Sequence, residues 1–60
     1  MTETDDEDQR KEVFRVLVEL QDGGSTADQS RSQVAEQFSM SVRDVQAIER
    51  EGIANQWPPL

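Results

Sequence analysis

Sixty residues with a formal charge of −7, no cysteine and no histidine leave room for one small domain and for little chemistry. A chain this short hides only about 60% of its unfolded surface, so roughly a few kcal/mol of stability is expected. Disulfides, thiolate and imidazole metal sites and the usual neutral-pH general base are excluded, and no apolar run has the length of a membrane span or signal-peptide core.

Residues 1–8, MTETDDED, carry five carboxylates, no basic group and no internal apolar anchor. That composition predicts an acidic leader that is disordered, or frays into the first helix, ahead of a folded domain over residues 9–60. Two roles fit it: a solubilising tail, or a mimic of nucleic-acid charge aimed at Arg43, Arg50 or a basic partner. Asp6 and Asp8 invite a calcium reading, but the loop glycine and distal glutamate of an EF-hand are missing.

Residues 9–22, QRKEVFRVLVELQD, place Val13, Phe14, Val16, Leu17 and Leu20 on one arc of a helix. Lys11, Glu12, Arg15, Glu19 and Asp22 fall opposite. A strand would use the alternation of Phe14, Val16, Val18 and Leu20, but Leu17 breaks it and no second strand exists to pair with. The segment is read as helix. Gly23 is the expected left-handed residue that ends it, and the Gly-Gly-Ser stretch lacks the Gly-Lys-Ser/Thr of a phosphate loop. It is read as a linker.

The second helix is expected over residues 31–38, capped by Ser30 with Gln33 closing a capping box and Ser32 as a rival cap. The third is expected over residues 42–51, started by Ser41 with Asp44 three residues on, and stopped by Gly52. Between them Ser39-Met40-Ser41 breaks the periodicity, and Met40 supplies an apolar plug. Counted from Ala35, apolar residues stand at −1, +3, +5, +10 and +13 (Val34, Phe38, Met40, Val45 and Ile48). That spacing predicts a helix-turn-helix in which small Ala35 lies where the second pair of helices cross.

The segment QVAEQFSMSVRDVQAIEREGI resembles the C-terminal, promoter-reading helix-turn-helix (region four) of bacterial sigma factors. The likeness rests on Val34-Ala35, Phe38, the Ser41-x-Arg43 helix entry and Val45-x-x-Ile48-Glu49, and it covers about the second half of the chain. It implies an all-α, three-helix fold and partners in transcription, RNA polymerase or another transcription protein among them. Two departures stand out. Ser39 occupies a turn position that carries glycine in many helix-turn-helix proteins. Val42, Asp44, Gln46 and Ala47 also make the third helix less basic than a sigma recognition helix.

The tail is IANQWPPL, and its terminus is expected to run extended, because Pro58 disfavours a helical Trp57. Ile53 and Trp57 are read as closing the core, an indole burying about 200 Å2. The alternative is an exposed docking motif over Trp57-Pro58-Pro59-Leu60.

No catalytic constellation emerges. No histidine or second lysine stands ready to activate a serine, and the carboxylates of Glu3 to Asp8 are not held in place. A non-enzymatic binding protein is expected, cytoplasmic, without cofactor or metal, and with neither membrane nor small-molecule substrate as partner. Two binding classes remain. In one, the third helix enters the major groove of double-stranded DNA with Ser41, Val42, Arg43, Gln46, Ala47 and Arg50 outward. Arg43 would read guanine, Gln46 adenine, and Val42 or Ala47 a thymine methyl. In the other, the module binds protein alone. Residues 1–30 hold nine acids against three bases and residues 31–60 four against three. With no basic footprint, DNA contact is expected to be weak or assisted by a protein partner. The plain alternative for Arg43 and Arg50 is a solvated surface loosely paired with Asp44, Glu49 or Glu51.

Overall fold

The computed structural model describes the backbone of residues 2–59 and the side chains of residues 7–59. Three helices, α1 (Thr2–Asp22), α2 (Ala27–Gln37) and α3 (Val42–Asn55), each pack against the other two. The chain is an all-α three-helix bundle. Its core is Val13, Phe14 and Leu17 from α1, Val34 and Ala35 from α2, Val45 and Ile48 from α3, and Trp57. Val16, Val18, Leu20, Phe38 and Met40 rim that core, so both expected apolar stripes face inward.

All three helices begin or end away from their expected residues. α1 starts at Thr2, so residues 2–8 run into the first helix, the second of the two expectations for this segment, and Met1 lies outside the described residues. No glycine or proline interrupts residues 2–22, and acidic residues suit the positive end of a helix dipole. Glu7 adds an i, i+4 contact to Lys11 at 3.6 Å. Further along, Arg15 bridges Glu12 and Glu19 on the solvent side. The Glu12 hydrogen bond and the two carboxylate charges raise the pKa of its guanidinium.

α2 starts four residues earlier than expected because Thr26, not Ser30, is the cap. Its hydroxyl accepts from Gln29 N at 3.1 Å while Gln29 Oε1 accepts from Thr26 N at 3.4 Å, a complete capping box. Ser30 instead is buried, donating to Ala27 O at 2.9 Å and accepting from Gln21 Nε2 at 3.2 Å. That pair of bonds satisfies a polar group placed between α1 and α2. Ser41 caps α3 as expected, accepting from Asp44 N at 3.1 Å.

The helices share one way of stopping. A left-handed residue follows each, and the amide after it reaches back five residues: Ser25 to Leu20 O, Met40 to Ala35 O, and Trp57 to Gly52 O, at 3.1, 2.9 and 2.9 Å. These are Schellman closures. The left-handed residues are Gly24 (φ 107°), Ser39 (φ 56°) and Gln56 (φ 54°). Gly24 rather than Gly23 therefore ends α1, and Ser39 takes the positive φ that the turn demands without being glycine.

Gly52 does not end α3. It sits buried inside the helix, where a Cβ would lie 2.3 Å from Phe14 Cδ1. The missing side chain is what lets α3 lie against the Phe14 ring. Because α3 continues to Asn55, its last turn delivers Trp57 onto the same ring, edge to face, with centroids 6.2 Å apart and planes at 79°. The Lys11 ammonium stands 5.9 Å from the indole centroid. Trp57 thus closes the core as expected, whereas Ile53 does not: it is 58% exposed, one position beyond the buried Gly52. Leu60 lies outside the described residues.

Candidate nucleic-acid interface

α2 and α3 are joined by Phe38 to Ser41, and the turn sets which faces of α3 remain open. Met40, directed inward by the left-handed Ser39, packs on the core rim. Val45, Ile48 and Gly52 then define the buried stripe of α3. At 100° per residue the opposite arc carries Arg43, Ala47, Arg50 and Ala54, with Val42, Gln46 and Ile53 beside it. All seven are exposed.

The six expected site residues, Ser41, Val42, Arg43, Gln46, Ala47 and Arg50, therefore share the solvent side of α3 or its entry. Val42 is 41% exposed. The Ser41 hydroxyl already accepts one bond at the helix N-terminus, so its proton and one remaining lone pair are left to face outward. None of these side chains is buried, and a flat, rigid helix face of this kind offers shape and hydrogen bonds rather than an enclosed pocket.

Charge is sorted across the faces of α3. Glu51 receives a forked contact from Arg10 of α1, Nε to Oε1 at 2.9 Å and Nη2 to Oε2 at 3.2 Å. Glu49 accepts from Arg31 of α2, Nε to Oε1 at 2.9 Å. The loose pairing expected of Arg43 and Arg50 with Asp44, Glu49 or Glu51 is not what forms. Among the described residues neither arginine has an ion-pair partner, because the neighbouring α1 and α2 supply better-placed cations to α3's acids. Asp44 stays in the first turn, its carboxylate beside the helix entry. The arc from Arg43 to Arg50 is locally basic on a strongly acidic molecule.

Beside that arc lies a depression of about 270 Å3 lined by Arg31, Gln46, Glu49, Arg50 and Ile53. Arg31, and its pairing with Glu49, is what sequence reasoning passed over. Arg31 and Glu49 each directly follow a buried position, Ser30 in α2 and Ile48 in α3. Opposite charges one step past core positions on two crossing helices are the signal that marks such a pair.

Neither family models, curated proteins nor solved structures match this chain. Among the described residues, no helix is long and apolar enough to cross a membrane.

Proposed function

We propose that α2, the Phe38–Ser41 turn and α3 form a helix-turn-helix module that makes weak contact with double-stranded DNA, a protein of the transcription machinery supplying the rest of the affinity. The observation that carries this reading is the sorting of charge on α3: Glu49 and Glu51 are neutralised from α2 and α1, leaving Arg43 and Arg50 on the outward arc without an ion-pair partner among the described residues. A short turn with an inward Met40, and the likeness to sigma region four, support the same module. Recognition helices of this class place N-terminal residues on base edges. Here those are Ser41, Val42, Arg43, Gln46 and Ala47, with Arg43 suited to guanine and Gln46 to adenine.

Net charge −7 sets the scale of the affinity. Two arginines release few counterions, so a shallow dependence on salt is expected, and a partner protein has to hold the module near its site. RNA polymerase, or another transcription protein, is the partner that the resemblance implies. The exposed Val42 and Ile53 favour a second reading, a module that binds protein alone. A titration of labelled duplex at several salt concentrations separates the two. Saturable binding that weakens with salt and drops in Arg43→Ala supports the DNA reading. Indifference to duplex at low salt leaves protein binding.

A further inference from the structure

The depression beside the outward arc brings together two cations from different helices. Arg31 is held on one edge by Glu49 at 2.9 Å. Its Nη1 is 3.7 Å from Asp28 Oδ1, beyond hydrogen-bond reach. The guanidinium is therefore fixed in place while its terminal N–H groups remain able to donate. A fork oriented by a carboxylate is preorganised for a second, tetrahedral anion. Arg50 lines the same space without an ion-pair partner among the described residues. Arg31, Glu49 and Arg50 together are positive by one charge, which the fully solvated Asp28 carboxylate offsets only in part because water screens it. Ile53 adds an apolar wall.

Resting on the DNA reading above, we propose that this depression seats a single phosphodiester of the bound duplex, with Arg31 and Arg50 on the phosphate and Ile53 against the deoxyribose. Gln46 connects the two sites, lining the depression and also standing among the base-facing residues. One helical turn separates Gln46 from Arg50, about 6 Å along the axis, and the major groove is about 12 Å wide. With Gln46 on a base edge, the strand bordering the groove runs within an arginine's length of the depression. Glu49 acts here as a positioning residue, and Arg31 extends the interface from α3 onto α2.

The test uses the full chain and a set of end-labelled duplexes, each with one phosphate replaced by a neutral methylphosphonate. Arg50→Ala and Arg31→Ala should each weaken binding to the unmodified duplex evenly across sequences and flatten its salt dependence by about one unit of slope. On one particular methylphosphonate duplex, both substitutions should lose their effect, because the phosphate they contact is already neutral. Arg31→Ala removes a contact between α2 and α3, so its fold is checked by circular dichroism. Arg50→Ala breaks no ion pair among the described residues and carries the test alone if Arg31→Ala unfolds. Losses that persist unchanged on every modified duplex overturn the inference and leave the DNA reading standing. A wild-type chain that ignores duplex at low salt overturns both.

Discussion

Gly52 illustrates how much a single missing methyl group can decide. Alanine at an exposed helix position would stabilise by about 0.5–1 kcal/mol relative to glycine. At Gly52 its Cβ would fall 2.3 Å from one ring carbon of Phe14 and 2.5 Å from the next. The ring is buried among Val13, Leu17 and Trp57 and has nowhere to go. Overpacking of this kind costs roughly 1–3 kcal/mol, so Gly52→Ala should lower the urea midpoint despite its better propensity. A midpoint at or above wild type would show that Phe14 can move aside. Ile53 provides the contrast at the next position. Being mostly exposed, Ile53→Ala should change stability by no more than about 0.5 kcal/mol, and a loss above about 2 kcal/mol would mean that it packs in solution. The sequence could not separate these neighbours, because glycine serves both as a permissive backbone and as a vacant Cβ. Only the identity of the facing ring, 38 positions away in the chain, tells which use applies.

At the scale of elements, the periodicity of apolar residues carried nearly everything about which segments are helical and which faces turn inward. Val13, Phe14, Leu17, Val34, Ala35, Val45 and Ile48 were all legible. The residues that close α1 and α3 were not, since each Schellman closure depends on where the residue after the left-handed one finds its contact. Met40 and Trp57 are drawn inward by the core, and this fixes Ser39 and Gln56 at positive φ. A non-glycine residue held there costs about 1 kcal/mol or more, partly offset by glycine's larger entropy in the unfolded chain. Ser39→Gly should therefore raise stability by about 0.5 kcal/mol, a gain of about 2–4 °C in the thermal midpoint for a domain this small. A lowered midpoint would mean that the serine side chain makes a contact of its own. The crossing of α2 with α3 is tested from the other side by Ala35→Leu, which should destabilise by roughly 1–3 kcal/mol at a residue only 6% exposed. If leucine is accepted without loss, the helices do not approach closely at that point.

Across the whole molecule the faces divide by charge. α1 carries most of the acid, and Arg10 meets Glu51 near the C-terminal end of α3, so the turns before Arg10 lie far along α3 from Arg43. If α3 contacts DNA as proposed, an acidic helix held there would act through long-range repulsion rather than by occupying the Arg43 surface. Deleting residues 1–8 changes the net charge from −7 to −2, since five carboxylates and no base are removed. Duplex binding at low salt should tighten, and the gain should fade as ionic strength rises above about 0.1 M, where the screening length drops to about 10 Å. A gain that survived high salt would point to direct competition instead. The division of charge between the halves was visible in the sequence. Its assignment to faces was not, because it depends on Arg31 and Arg10 reaching across to α3's acids.

The Phe14–Trp57 contact, finally, makes the chain its own optical gauge. Trp57 is the sole indole and is 6% exposed, resting on a ring near the other end of the sequence. Its emission should therefore be blue-shifted in the native state and report one event, the meeting of α1 with the segment after α3. Circular dichroism reports the helices themselves, wherever they form. Closing so long a loop is entropically the costliest contact to make. In stopped-flow refolding, the fluorescence change should then mark the last step of assembly. If ellipticity and emission rise together at every denaturant concentration, helix formation and closure of the ends are a single cooperative transition.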